Sequence, residues 1–531
     1  MATRAAEHNR FQRPACFLGP ERTNFLQIDI TSNVSTIAIA SIFAIDAACS
    51  TQKVYRSHAL RDFWRKRKLL CDSRFGRSLL RDRPDKDRRC MMKVITALVI
   101  LASLIAVTAT TLFAASDNEI AGAAADHGPP SADSIPPGTI ITTQNWQSYR
   151  QFMSQGMAAM FEGKYSWKMP ADVQMEVGPT KIVPLPKNYL VATEKYSGQV
   201  RIVELPDGGL TLHGYHGGIA FPNPQEPHRG WKILMNLWYR YTPRLLVVRH
   251  GWDCAVNGSG NSSCESYETV VRQLSYNTDS GISEDAPPPD AKYFTEWFMV
   301  LEPEQSRYTA QLTINYVDLT KPEDVYAFLP SLRRYQPVAN SGRCAPTGGE
   351  DWTQEDFRSG LDSNVTEVQA NYIGHRKILA LVDFRAPDNP FPDGFFMPLV
   401  WPKPPWANWQ LRDVDVIEVR KIPSKAAGYC YGKRVMYVDA HNFSPLWEEL
   451  FDRQMNLWKF QTTLPQRVEV PGVGPVVTPG VDVELIWDVQ RNHASAGGES
   501  AGSVYANEQA PAEFQDIARY TTPAGLNLIM R

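Results

Sequence analysis

The sequence predicts a mainly β fold with some helix, built on one large antiparallel sheet, and three observations carry that expectation. Tyr308, Ala310, Leu312, Ile314 and Tyr316 alternate with Thr309, Gln311, Thr313 and Asn315, which puts every apolar side chain on one face of a strand. Val481, Val483, Leu485 and Trp487 repeat the arrangement against Asp482, Glu484 and Asp488. Turn residues separate many further strand candidates, at Leu245–His250, Val270–Tyr276, Phe294–Val300, Val325–Leu329, Lys377–Phe384, Val414–Arg420, Arg434–Asp439 and Leu457–Thr463. Short strands joined by turns favour an antiparallel sheet over βαβ units. With 531 residues, 43% of them hydrophobic and 21% charged, the chain has the material for a substantial core.

The amino-terminal quarter has a different character. Residues 1–90 carry 18 Lys and Arg against 9 Asp and Glu, while the whole chain has 55 against 57, so the remainder is acidic. Runs such as Arg65-Lys66-Arg67-Lys68 lie on no helical face with aromatic partners, so translated upstream sequence is preferred over nucleic-acid contact, with no compact fold expected. At Met91-Met92-Lys93 a charge-free apolar run begins, Val94 to Ala115, ending on the small residues Ala114-Ala115-Ser116. Residues 91–116 therefore read as an export signal, with a retained inner-membrane anchor as the competing reading. Either way the chain after Asp117 is expected in the periplasm, and no cysteine stands near the cleavage region to accept a lipid.

The stretch 117–145, rich in Ala, Gly, Pro and Ser, reads as a linker, and 146–531 as a single domain. Trp146, Tyr149, Phe152, Met153, Met157, Met160 and Phe161 stand at helical spacings up to about Tyr165, interrupted by Gly156. A turn-rich segment, Gly214 to Gly230, follows His213 and carries His216 and His228, but offers no carboxylate or thiol at ligand spacing, so no metal site and no cofactor are expected. After Trp231 the pattern is read as period two.

Eight cysteines include four in the body. Cys254 and Cys264 bracket a short polar loop that a disulfide could close, and Cys344 with Cys430 form a second, less certain pair. Phe391 to Trp409 mixes Phe395, Phe396, Trp401, Trp406 and Trp409 with five prolines, a density that forbids an interior strand. Such an aromatic loop either packs onto the sheet or covers a ligand. Phosphate loops, H-E-x-x-H, G-x-S-x-G and dinucleotide fingerprints are absent from the sequence, which disfavours an enzyme, although catalytic groups assemble in space. Glu448 and Glu449 read as a solvated face, and the acidic body argues against nucleic acid.

Several ordered motifs bear a likeness. Gly217-Gly218-Ile219-Ala220-Phe221-Pro222-Asn223-Pro224 with Asn236 to Tyr241, Val325 to Arg334, Tyr372 to Lys377, Val414–Arg420 and Lys433 to Lys459 together resemble the domain-of-unknown-function family 1329. That family is similar to outer-membrane lipoprotein-sorting proteins, and the likeness spans about Trp146 to Arg531. It implies a fold like LolA and LolB, a strongly curved half-barrel sheet with helices on its concave side around an apolar cavity. It also implies association with RND-type exporters and outer-membrane partners. No catalytic residue is implied. Ser331-Leu332 departs from the Gly-Gln that commonly precedes the family's arginine pair. An apolar cavity suits transport, because an acyl chain in water exposes about a dozen methylenes at roughly 0.8 kcal/mol each. The expectation is a monomeric carrier or exporter accessory for a hydrophobic or lipidated ligand, with Phe395, Phe396, Trp401, Trp406 and Trp409 as lid or cavity residues. Arg333 and Arg334 would meet an anionic headgroup or partner, or else form a surface ion pair. A structural adaptor of an export complex and a hydrolase using His213, His216 or His375 are the alternatives.

Overall fold

A computed structural model describes residues 134–530 except 282–284, 339–342, 362–364, 384–395, 398–399, 405–407 and 500. The chain divides into two units, Met1–Ala115 and Ser116–Arg531, and every described residue belongs to the second. The basic leader, the apolar segment before Ser116, Phe395 and Trp406 lie outside the described residues, and of Phe396 only the backbone is described.

Twenty strands occur among the described residues. They are β1 (Ile140–Ile141), β2 (Met175–Val177), β3 (Arg201–Glu204), β4 (Leu210–His213), β5 (Leu245–Asn257), β6 (Ser262–Gln273), β7 (Lys292–Glu302), β8 (Ala310–Tyr316), β9 (Asp324–Leu329) and β10 (Arg334–Pro337). Then come β11 (Val368–Leu381), β12 (Phe396–Met397), β13 (Trp401–Pro402), β14 (Asn408–Lys421), β15 (Lys433–Asp439), β16 (Pro445–Phe451), β17 (Leu457–Val470), β18 (Gly474–Asp488), β19 (His493–Glu499) and β20 (Val504–Ala506). The helices are α1 (Gln155–Glu162), α2 (Lys187–Tyr196), α3 (Arg229–Trp238), α4 (Phe357–Gly360), α5 (Ile517–Thr521) and α6 (Pro523–Leu526).

Sixteen of the strands form one large, curved, open sheet in the order β1-β2-β14-β15-β16-β17-β18-β19-β5-β6-β7-β8-β9-β10, with β11 also on β14 and β20 also on β5. Every pairing is antiparallel except β2 with β14. Bulges at Tyr372/Gly374, Leu450/Phe451, Val248/Gly251 and Pro465/Arg467 bend the strands and switch which residues face which side. The mainly β, antiparallel expectation holds.

Both faces of this sheet are covered. On one face Phe460, Val483, Leu485 and Trp487 pack under the N-terminal segment 135–177, and Leu312, Ile314 and Trp297 pack under the C-terminal tail with Phe514 and Tyr520. α1 lies close on β17, because Gly156 leaves no Cβ to overlap the Phe460 ring. The glycine that weakens the helix is thus what lets it dock, and Ser154 caps the helix by accepting from Met157 N at 3.1 Å. The other face receives α3, whose Trp231, Ile233, Leu234, Leu237 and Trp238 are buried together with Phe294, Ile417 and Met436.

Four expectations need correction. The linker does not extend to Asn145: Ile135 and Ile141 are core residues and β1 pairs with β2. The single helix expected over 146–165 is a 3-10 turn, Trp146–Phe152, followed by α1. Trp231 to Trp238 are helical, not extended: eight of the ten residues of α3 are buried, and its polar Arg229, Lys232 and Asn236 fall at helical spacing, i, i+3 and i+7. Glu448 and Glu449 are not solvated; they are 1% and 2% exposed within β16. The proline-rich loop also holds a two-residue ladder, β12 with β13, and Trp409 already belongs to β14.

Candidate functional site

The polar halves of the alternating strands do not face solvent. On β18 the apolar residues Val483, Leu485 and Trp487 enter the core under the N-terminal segment, so Asp482 and Glu484 are directed to the face that α3 occupies. In register across the sheet, Glu484 stands opposite Gly497, Gly497 opposite Asp253, and Asp253 opposite Glu265. Two residues along, on the same face, Glu499 stands opposite Gly251 and Gly251 opposite Tyr267. Glu296 of β7 stands opposite Val271 farther along the same face. A Cβ at Gly497 would overlap Asp253 Oδ1, and one at Gly251 would overlap the Tyr267 ring. The glycines are what allow these side chains to lie across the neighbouring strand.

Carboxylates in adjacent rows at the centre of a sheet repel one another, so this arrangement opposes folding and calls for a reason. Burial pushes Glu484, Glu499 and Asp253 well above the usual carboxylate range, and the neighbouring acids add to each shift. Asp482 is pushed up to about 6, again by burial, with Arg240 opposing the shift and Glu296 adding to it. Arg240 is brought down to about 10 by burial and by Arg358. Glu499 is the best satisfied of the acids, accepting from Tyr267 OH at 3.2 Å and Asp482 N at 3.0 Å. Asp253, Glu265, Glu296, Asp482 and Glu484 each keep partial solvent access although they sit mid-sheet with a packed core behind them. Beside them on the same face lie Tyr267 and Phe298, whose rings are 5.0 Å apart.

A polar network ties the segment around Asp351 and Asp356 to the sheet. Arg434, 1% exposed, donates to Glu448 Oε2 at 2.8 Å and Asp356 Oδ1 at 3.1 Å, and Tyr431 OH donates to Asp356 Oδ2 at 2.7 Å. Asp351 Oδ2 accepts from Ser495 Oγ at 2.8 Å and lies 2.7 Å from His493 Nδ1. Ser495 and His493 therefore both address the aspartate, and the histidine is not placed between serine and acid as a base for a nucleophile must be. The Cys344–Cys430 disulfide ties the same segment down, and Cys254–Cys264 closes the β5–β6 end across directly opposed residues.

The family-like motif of Gly217 to Pro224 acquires a physical role here. Asn236 of α3 accepts from Phe221 N at 2.9 Å and donates to Phe221 O at 2.8 Å, while Ile219 N donates to Thr193 Oγ1 of α2 at 2.7 Å. Gly218, at φ 76°, has no room for a Cβ against Thr193. The motif clamps α2 to α3 and so sets the helical cover of the sheet.

The residues singled out from sequence are dispersed. Trp401 and Trp409 are each 1% exposed, stack on each other at 5.4 Å and belong to the core under the N-terminal segment, on the face away from α3. Arg333 and Arg334 are exposed where β10 begins, and among the described residues neither pairs with a carboxylate. His213 ends β4, His216 stacks on Tyr196 at 4.8 Å, and His228 lies 3.8 Å from Glu204. His375 sits between Asp413 and Asp415, at 3.3 and 3.4 Å, and hydrogen bonds to both push it up to about 9. Among the described residues the one group of potential ligand side chains close together is Asp253, Glu265 and Glu350, whose atoms lie within 4.8 Å of one another. The sequence signal for the site was present in Asp482 and Glu484, but alternation alone cannot say whether a polar face meets water or an interior.

A search of curated proteins finds no match. Among solved structures, the chain is similar to a domain from Vibrio parahaemolyticus named for outer-membrane lipoprotein sorting, at 14% identity and TM-score 0.38 over 55% of this chain and 99% of that one. It is similar to a DUF1329 family protein from Desulfovibrio piger, at 14% identity and TM-score 0.39 over 56% and 100%. A LolA superfamily protein from Nitrosomonas europaea matches at 13% identity and TM-score 0.31 over 54% and 96%. The profile of the family described as protein of unknown function (DUF1329) matches residues 140–526, most of the chain, and the protein belongs to that family.

Proposed function

We propose that the protein is a non-enzymatic periplasmic carrier or exporter accessory, holding a hydrophobic or lipidated ligand between the sheet and α3. The observation that carries this reading is the set of partly accessible carboxylates at the centre of a sheet that is otherwise covered on both faces. Folding energy is spent keeping Asp253, Glu484 and Asp482 there, and ligand contact is the return on that expense. The lining refines the ligand. An amphiphile with a cationic head would set its head on the carboxylates and its tail in a hollow beside Tyr267 and Phe298. An anionic lipid would be repelled by the same lining. Export is supported by the apolar segment ending at Ser116 and by two disulfides, which persist in oxidising compartments. No helix among the described residues is long and apolar enough to cross a membrane.

The test uses dodecylamine and dodecanoate, each carrying a dansyl group on the terminal carbon away from its charged head, on purified protein. The amine is expected to bind more tightly, and a D253N/E484Q double variant to lose about tenfold or more of that affinity. No binding of either probe, or equal binding by the variant, would remove the basis of the reading. The exposed end strand β10 beside Arg333 and Arg334 favours a second role, pairing with a partner at the sheet edge, which cross-linking to exporter and outer-membrane proteins would detect.

A further inference from the structure

Glu350 reaches Asp253 and Glu265 from outside the sheet, on a short hairpin whose two ends are held very differently from its tip. At its start Cys344 is fixed to Cys430 by the disulfide. At its finish Asp351 is held by His493 and Ser495, Lys459 Nζ donates to Asp351 O at 2.5 Å, and Trp352 is buried with Tyr431 and Leu450. Between them, Pro346 bridges Thr353, Thr347 N donates to Trp352 O at 2.9 Å, and Glu350 N donates to Thr347 O at 2.9 Å. The turn is made by Gly348 and Gly349, at φ 61° and 87°, with nothing near either α-carbon on the side-chain side. Residues 344–349 are exposed, and of the tip only Glu350 turns inward.

We propose that the hairpin tip Thr347–Glu350 is a flap at one end of the hollow, latched by Glu350 docking on Asp253 and Glu265 when protons are shared among them and released when all three ionise. The proposal rests on the reading of the hollow as a ligand site, but its test needs no ligand. Three carboxylates within 4.8 Å cannot all be charged without strong repulsion, and among the described residues no cation lies within ion-pair distance of them. The surroundings reinforce this. Glu484 of β18, Glu499 of β19 and Tyr267 of β6 face Asp253, with Asp482 of β18 beside Glu484, and Asp351 faces Glu350 from its own segment. The nearest counter-charges are engaged elsewhere: His493 and Lys459 on Asp351, Arg240 toward Asp482 and Glu484. Burial is the first cause raising Glu350, Asp253 and Glu265, with each other's charge next for Glu350 and Asp253. The docked state therefore holds protons that the undocked state loses. Docking is favoured in acid and weakens as pH climbs from the ordinary carboxylate range through the raised values.

Hydrogen exchange of peptides covering 344–352, corrected for the intrinsic rate, is measured at about pH 5 and about pH 8, where one shifted carboxyl changes the docking equilibrium about tenfold per unit. Wild-type protein is expected to open about tenfold or more on going to the higher pH. E350Q and, separately, E265Q are expected to stay protected at both, and E304Q, a remote exposed control, to follow wild type. Equal protection of the wild type at both values, or an undiminished rise in folded E350Q or E265Q, would overturn the proposal.

Discussion

Replacing Asp482 by Asn should make the protein more stable at neutral pH. Asp482 lies on the α3 face of β18 among Glu484, Glu296 and Glu499, and burial pushes it from an ordinary 3.8 up to about 6. A carboxyl whose native pKa is raised keeps its proton in the folded state while the unfolded chain releases it. Stability is therefore unaffected below the ordinary value, falls as pH rises from about 4 to about 6, and stays lowered above that. Two units correspond to about 3 kcal/mol at 1.36 kcal/mol per unit. Asn keeps the volume but gives up attraction to Arg240, so the expected net gain above pH 6 is about 1–2 kcal/mol. Urea unfolding of wild type and D482N at about pH 4, 5, 6 and 7.5 measures it, with the two curves meeting in acid and separating above. A variant less stable than wild type at neutral pH, or a separation that does not depend on pH, would refute the claim that the acidic face is electrostatically strained.

Other outcomes follow from the same contacts. His375 is held up to about 9 by Asp413 and Asp415, so its stabilisation is fully present below its free value of about 6.5 and lost as pH rises through 9; H375Q should flatten thermal stability across that window in a pH series of melting curves. G156A should cost about 1–3 kcal/mol in urea unfolding, because its methyl meets the Phe460 ring, even though alanine favours a helix. R434A leaves Glu448 buried without its cation and Asp356 with only Lys459 at 3.9 Å, and should cost about 3–5 kcal/mol, whereas E304Q on the surface should leave the midpoint in place. C344S opens a loop of 86 residues and should lower stability by about 2–4 kcal/mol, read as the difference in melting temperature from oxidised wild type.

The sheet was legible where one side of a strand is apolar. β8 and β18 show period two because their apolar sides meet the C-terminal tail and the N-terminal segment. The same signal misled on the other side, since Thr313, Asn315, Asp482 and Glu484 look like water-facing residues and in fact meet the covered α3 face. β19 is written His-Ala-Ser-Ala-Gly-Gly-Glu, with no β-branched residue to announce it, because large side chains there would collide with Asp253 and Asp482 from the flanking strands. α3 was missed although Arg229, Lys232 and Asn236 mark a helical period, because the run is short and mostly buried, and β16 was hidden by its paired glutamates, whose partners Arg434 and Tyr437 come from the neighbouring strand. The Cys254–Cys264 pair was readable from spacing alone, whereas Glu350 could not be connected with Asp253 before the chain was folded.

Native mass spectrometry of the protein released gently from cells addresses the central claim most directly. The expected spectrum contains a species heavier than the polypeptide by one small amphiphilic molecule, which leaves when Asp253 and Glu484 are both neutralised. A spectrum of the bare polypeptide alone, unchanged after incubation with dansyl-labelled dodecylamine, would contradict a ligand-holding hollow beneath α3.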